Sequence, residues 1–409
     1  MKVLYLGCYD QPEGQSSRSY NYVEGLSKLG AEVTYLSNSY DHYKFSTVKV
    51  SFWKLWTEDK YNHKYKGKYI RLKTPSYKGK KGRLLNMLIN AALVLLYGIY
   101  SFLKREKFDV IIGPSVPTFT SFSGILISKI LKVPFCFELR DIWPDALVEI
   151  GLIKKNTFIF AIMKRMELFI LNNLDSVFST LPYAKRYVDN YISKFSFYYL
   201  PNGVDFESHE HSINNIAVSF PSGLSSFCYV GGFGADHDIK TMIKAAIILE
   251  EKGYQFIFDL YGEGLKYDEL KKFLSDKYKF IRLFPAVKRQ ETISLIAQYD
   301  FAIAAITNSK SYRHGINLNK LTSYMFSAKP IVFASSAPNN PIIEAGSGFT
   351  CLAEDPENLS KNIIKMFNTS KLQREKFGNS GYSYLINNLS MKSLSKKMYQ
   401  ALIEVIKNH

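Results

Sequence analysis

Short apolar runs alternate with helix-length stretches along this chain, and the alternation begins twice. MKVLYLG (1–7) is an apolar run closed by glycine; a polar loop with Gly14 follows, then a helix-like stretch from about Ser16 to Leu29 stopped by Gly30, then AEVTYLS. The rhythm continues through DVIIGPS, a helix around Phe119 to Leu131, VPFCFEL, a long helix from about Lys155 to Asn173 and DSVFSTL. It breaks at YYLPNGVDF and the polar stretch Glu207–Asn215. It then restarts: FCYVGG, helix Ile239–Lys252, QFIFDLYG, helix Leu265–Ser275, IRLFPA, helix Arg289–Gln298, DFAIAAI, helix Asn319–Ser327, PIVFAS. Buried strands separated by helices predict parallel sheets covered on both faces. The expected architecture is α/β, with two Rossmann-like doubly wound domains facing across a cleft. The expected extents are 1–200 for the first, 201–385 for the second, and 386–409 for a C-terminal helix packing back on the first. In open parallel sheets ligands bind beyond the carboxyl ends of the strands, so facing sheets predict a donor on one side and an acceptor on the other. A length of 409 residues suits two such domains.

Charge is unevenly spread. Lys and Arg number 53 against 36 Asp and Glu, and between Asp41 and Arg83 thirteen basic residues face three acidic ones. Aromatic residues, including Phe52, Trp53, Trp56 and Tyr77, are interleaved there, and the run leads into twenty uncharged residues, Leu84–Leu103, closed by Lys104, Arg105 and Lys107. Three readings of this 41–107 segment stand open. The length fits a membrane span, but Asn86, Asn90, Gly98 and Ser101 dilute it and cations flank both ends. A buried helix of the α/β domain is the second reading. The third is a helix lying in the membrane interface with its basic flanks on headgroups. The chain contains no nucleic-acid-binding motif, so no nucleic-acid partner is expected.

Cys8, Cys136, Cys228 and Cys351 are widely separated, without the spacing of a zinc or disulfide framework. The residues before Asp10 are too short an apolar run for a signal peptide, so a cytoplasmic start is expected.

Several strings together resemble the GT-B glycosyltransferases of family 4, in the branch that builds bacterial O-antigen, capsule and exopolysaccharide. They are the Gly14 loop, FELRDIWPDALVEIGLI (137–153), LPNGVDF (200–206), YVGGFGADHDIKTMIKAA (229–246), LYGEG (260–264) and GINLNKLTSYMFSAKPIVFAS (315–335). Their order and spacing match over nearly the whole chain. The resemblance implies a retaining transfer, without a bound metal or other cofactor, from a nucleotide-sugar donor to a saccharide acceptor carried on a polyprenyl diphosphate. It also implies a protein peripheral at the inner face of the cytoplasmic membrane.

The resemblance places Gly14 and Gly232 where backbone N–H groups approach the donor phosphates, as the growing charge of a departing diphosphate requires. Each glycine read alone is equally a tight turn. Asn319 and Lys320, in the NK pair opening a helix, are expected at a phosphate, with a solvated surface lysine as the alternative. Arg140 and Asp141 are assigned to sugar or acceptor contact, or else to pinning the turn at Trp143. Where the family carries two glutamates spaced E(x7)E, this chain has Gly315 and Ser323. Where relatives grip the diphosphate with Arg and Lys, it has Phe233 and His237, with Lys240 nearby as a substitute. Glu344 is a candidate at the edge of the site. These departures keep open a catalytically silent GT-B partner subunit; a nucleotide-sugar epimerase on the same architecture is a further alternative, which would need cleft carboxylates that the sequence does not locate.

Overall fold

Val3, Leu4, Tyr5 and Leu6 are fully buried in the first strand, which sits near the middle of its sheet. A computed structural model of the chain describes residues 1–9, 18–41, 46–59, 67–149, 151–206, 218–221, 223–234, 236–264, 267–274 and 278–409. These form two units, Met1–Gly203 with Met391–His409, and Val204–Ser390.

The first unit runs β1 (Lys2–Leu6), α1 (Arg18–Lys28), β2 (Glu32–Asn38), β3 (Tyr40–Asp41), β4 (Ser46–Thr47), β5 (Trp56–Glu58), β6 (Gly67–Leu72) and α2 (Gly79–Leu103). It continues with β7 (Val110–Pro114), α3 (Thr118–Leu131), β8 (Phe135–Leu139), α4 (Asp145–Glu149), α5 (Phe158–Leu171), β9 (Ser176–Ser179), α6 (Lys185–Val188) and β10 (Ser196–Tyr199). Its main sheet has the order β10-β9-β8-β7-β1-β2-β6-β5, parallel except for β5. Alternation along each strand sends one set of side chains to each face. Tyr5, Tyr35 and Tyr69 are register partners on β1, β2 and β6, with ring centroids 5.8 and 5.4 Å apart. They share a core with α1 and with the last helix of the chain. Leu4, Leu36 and Ile70 point the other way, into a core shared with α2 and α3.

The second unit runs β11 (Ser225–Val230), α7 (Ile239–Glu251), β12 (Phe256–Tyr261), α8 (Tyr267–Leu274), β13 (Ile281–Phe284), α9 (Arg289–Ile296) and β14 (Phe301–Ala305). After these come α10 (Asn319–Phe326), β15 (Ile331–Ala334), α11 (Pro341–Ala345), β16 (Gly348–Cys351), α12 (Pro356–Phe367) and α13 (Lys371–Leu389). Its sheet is parallel with the order β13-β12-β11-β14-β15-β16. Phe227 on β11 is in register with Phe258 and Phe301 on its two neighbours, and their rings stack at 4.6 and 5.0 Å. Burying each such ring contributes roughly 1.5–3 kcal/mol.

The chain returns to the first unit as α14 (Met391–Asn408), whose Leu394, Met398, Ala401, Leu402 and Val405 recur at helical spacing and pack on the α1 face of the sheet. The basic segment contains two strands of the main sheet: GKYIRL forms β6 beside β2, and WTE forms the antiparallel edge. Its charges are compatible with a strand because Arg71 and Lys68 find carboxylates elsewhere, Asp59 at 2.7 Å and Glu106 at 2.9 Å.

Candidate functional site

In the second unit the strand order reverses between β11 and β14, and the crevice beyond the carboxyl ends of those two strands is where an open α/β sheet takes its ligand. Two glycine turns line it. The chain leaves β11 as Gly231–Gly232–Phe233–Gly234 and leaves β12 as Gly262–Glu263–Gly264. Gly231 donates to the Tyr261 carbonyl at 3.0 Å and Phe233 to the Glu263 carbonyl at 2.8 Å. A Cβ on Gly262 would lie 2.0 Å from the Gly231 carbonyl oxygen, so only glycine allows this approach. Phe233 is fully buried, stacked between Tyr229 and Tyr267 at 6.1 and 6.0 Å, and so braces the turn from within the core. Gly262→Ala is therefore expected to push the two turns apart, costing about 1–3 kcal/mol and weakening any ligand held by Gly231. Denaturant melts and ligand titration of the variant would check both.

Opposite these turns stands α10. Asn339 holds the chain ahead of it, accepting from Ile316 N at 2.7 Å and donating to Ile316 O at 3.1 Å. The helix then starts with Leu318 at its N-cap, a residue without a side-chain acceptor for the first-turn N–H groups. From this first turn Lys320 reaches back to β11. Its Nζ donates to Tyr229 Oη at 2.6 Å and lies 4.4 Å from the centre of that ring. Tyr229 in turn donates to Gly232 O at 2.7 Å. A Cβ on Gly231 would meet Lys320 Nζ at 3.2 Å.

Burial, with no carboxylate facing it among the described residues, pushes the Lys320 ammonium down to about 7. His237, bridged to Ile306 at the end of β14, is pushed down to about 4 by burial and then by the Lys320 charge, so its ring is neutral near pH 7. Its Nδ1 is buried without a hydrogen-bond partner among the described residues, as is Nδ2 of Asn317. Buried polar groups are normally satisfied. A lysine with no carboxylate facing it among the described residues and a helix N-terminus without a side-chain cap thus meet at the end of β11. The neighbouring helix α7 differs, because Asp238 caps it by accepting from Thr241 N at 3.1 Å and places a carboxylate at its start.

Of the residues expected at the donor, the structure brings His237 and Lys320 together and sets Asn319 on the same helix turn. Gly231, absent from that expectation, is the crowded glycine, whereas Gly232 beside it is exposed. Lys240 is exposed on the first turn of α7. Ser323 Oγ donates back to the Asn319 carbonyl at 3.3 Å, and Glu344 on α11 accepts from Tyr384 Oη of α13 at 2.7 Å. Gly14 lies outside the described residues. Tyr229 and Asn317 were not singled out from sequence; the glycine pair closing an apolar run was the signal for Tyr229 and Gly231. No group of three His, Cys, Asp or Glu side chains suited to a metal occurs among the described residues.

In the first unit Arg140 and Asp141 follow β8, and both backbone N–H groups donate to Ser115 Oγ, at 3.0 and 3.3 Å. Asp141 is exposed. The Arg140 guanidinium donates to Glu138 Oε2 at 2.9 and 2.7 Å and to Ser19 Oγ. From the other side Arg18 Nε donates to Glu138 Oε1 at 2.8 Å and Arg18 Nη1 to the Pro201 carbonyl at 2.7 Å, while Tyr5 Oη adds a fourth bond to Glu138 at 2.9 Å. Glu138 is fully buried. Burial alone would raise its pKa, but Arg140 and Arg18 outweigh it and hold the carboxyl down at about 2. Glu138 and Arg18 were missed from sequence, although a glutamate inside the apolar run VPFCFEL was a legible anomaly.

No protein-family model matches the chain. A probable glycosyltransferase of Pseudomonas aeruginosa, WbjE, is 22% identical over 302 residues, covering 69% of this chain and 72% of that protein. Sucrose-phosphate synthase from Thermosynechococcus elongatus superposes over the full length of both chains with a TM-score of 0.71 at 12% identity. The chain has the GT-B fold. HepE of Anabaena, solved with UDP-glucose, superposes on this GT-B chain with a TM-score of 0.62 at 12% identity, covering 99% of this chain and 100% of HepE.

Proposed function

We propose that this GT-B protein is a glycosyltransferase whose second unit holds the diphosphate of a nucleotide-sugar donor at the β11–β14 switch. One observation carries the reading: Lys320, half-buried at the start of α10, has no anionic partner among the described residues. The likeness to HepE, which binds UDP-glucose, supports the donor class. The transfer is family-4-like and retains anomeric configuration. The bond from the anomeric carbon to the leaving phosphate oxygen breaks, the bond to the acceptor oxygen forms, and the acceptor proton passes to the leaving phosphate on the same face. Lys320, the α10 N-terminus and neutral His237 stabilise the charge that grows on the diphosphate. Arg140 and Asp141 serve the sugar or the acceptor. That acceptor is a lipid-linked saccharide of bacterial surface-polysaccharide assembly, and the protein works at the inner face of the membrane.

Nucleotide sugars carry a diphosphate that does not titrate near neutrality, which makes pH a clean probe. A bound dianion favours the ammonium form of Lys320, so above about pH 7 the site must take up a proton in order to bind. Affinity for the preferred donor among UDP-glucose, GDP-mannose and dTDP-rhamnose is expected to be roughly 20-fold weaker at pH 8.5 than at pH 6.5. Calorimetric titration measures this. Absence of heat with every donor supports the silent partner subunit instead, and a pH-independent affinity removes Lys320 from the site.

A further inference from the structure

α2 buries polar residues among apolar ones on its inward face and turns a second apolar face outward. Asn86, Asn90 and Ser101 face the interior and are fully buried. Asn86 Nδ2 donates to the Pro75 carbonyl at 2.7 Å, Asn90 Nδ2 to Thr120 Oγ1 at 3.1 Å, and Ser101 Oγ to Glu106 at 2.9 Å. The outward face is a continuous apolar stripe, Leu85, Leu88, Ala92, Leu96, Ile99 and Leu103, at the three- and four-residue spacing of one helix side. Leu103 is 72% exposed. A helix on a water-facing surface carries polar and charged residues on its outward face.

At 1.5 Å per residue the stripe is about 27 Å long. Exposed cations mark both ends: Lys78, Lys80 and Lys81 before it, Lys104, Arg105 and Lys107 after it. Trp56 packs on Tyr97 and Tyr100 of the same helix at 5.3 Å each, and the preceding loop presents Phe52 and Trp53, 80% and 90% exposed.

The charge pattern selects the occupant. A second copy laid along the stripe, in either direction, would set cations against cations at both ends. A nucleic acid would need cations along the stripe, where there are none. A bilayer leaflet with anionic headgroups matches apolar centre and basic ends together. Crossing the bilayer is disfavoured by the buried face, which is bonded into the unit and pressed on α3 so closely that a Cβ on Gly98 would lie 2.4 Å from Ile127.

We infer that α2 is a monotopic membrane-docking surface, lying in the plane of an anionic leaflet with its leucine stripe sunk among the acyl chains. This deepens the membrane location proposed above and does not rest on the transfer chemistry.

The test is co-sedimentation of the full chain with vesicles of phosphatidylglycerol and phosphatidylethanolamine, against vesicles of phosphatidylcholine alone. Wild-type protein is expected to sediment with the anionic vesicles, at least tenfold more than with phosphatidylcholine. A triple variant, L88Q, L96Q and L103Q, is expected to lose at least tenfold in partitioning while keeping its oligomeric state and any nucleotide-sugar affinity. A second variant, K80E, K81E and K104E, is expected to lose the preference for anionic vesicles, and it decides alone should the leucine variant fail to fold. The inference is overturned if wild-type protein ignores the vesicles, if the leucine variant binds them as well as wild type, or if the leucine changes split a dimer. It is also overturned if the helix resists alkaline extraction as a spanning segment does. Because the readout is vesicle binding, its failure is separable from a failure of donor binding.

Discussion

Exchanging Lys320 for methionine is expected to raise the melting temperature of the protein while weakening its binding of nucleotide sugars. Both halves follow from one fact, a half-buried lysine whose charge no carboxylate compensates among the described residues. Its pKa is about 7 in the folded chain, against the ordinary lysine value of 10.5. Between those two values the unfolded chain binds more protons, so wild-type stability increases as pH rises through that window, and the burden of the ammonium is greatest at and below pH 7. Methionine fills the same volume without a charge, and Tyr229 keeps its bond to Gly232 O. A gain of about 1–2 kcal/mol, or roughly 3–6 °C by scanning calorimetry, is expected at pH 6.5 and should shrink toward pH 9.5. The lost charge-assisted contact costs the donor about 10–150-fold in affinity. A lysine serving only to brace the turn would give the opposite sign, a destabilised variant.

Glu138→Ala is expected to be the most damaging single change in the first unit. It strands the Arg18 and Arg140 guanidiniums around a hole that held their shared carboxylate, a loss of about 3–5 kcal/mol. The usual margin of a domain is about 5–15 kcal/mol. Trp53, Trp56 and Trp143 all belong to this unit, so tryptophan fluorescence in a urea melt reports on it alone. Acid provides a second reading. The Glu138 carboxyl is depressed to about 2, so its contribution is fully present above the ordinary carboxylate range and is lost as pH falls toward 2. Glu138→Gln keeps the shape and should remove that acid-sensitive component. An alanine variant with an unchanged urea midpoint would mean that the two arginines are solvated and the carboxylate is dispensable.

Much of this fold was legible because buried parallel strands write themselves as apolar runs. The strands at residues 2–6, 110–114, 225–230 and 301–305 and the helices between them lie within a few residues of where the sequence puts them. β6 was hidden because its two charged residues, Lys68 and the buried Arg71, depend on Glu106 and Asp59, which alternation along one strand does not reveal. On α2 the asparagines read as diluents of an apolar run. Their spacing of four already put Asn86 and Asn90 on one face, but which face turns inward was decided by Thr120 and Pro75, partners from other elements. The site divides in the same way. Lys320 and His237 were legible as motif positions, yet the feature that gives them chemistry, burial beside Tyr229 without a counter-ion, exists only once β11 and α10 meet. The identity of the crowded glycine, Gly231 rather than Gly232, was likewise settled by the approach of Lys320 and of the Gly262 turn.

The most direct test of donor binding at Lys320 counts protons. Titrating the preferred nucleotide sugar at pH 7.5 in two buffers of different ionisation enthalpy gives the number of protons taken up on binding. With Lys320 near 7 before binding and fully charged afterwards, about three-quarters of a proton per donor should enter the protein, and the K320M variant should take up none. Donor binding with no proton uptake, or an uptake that survives in K320M, would contradict the account.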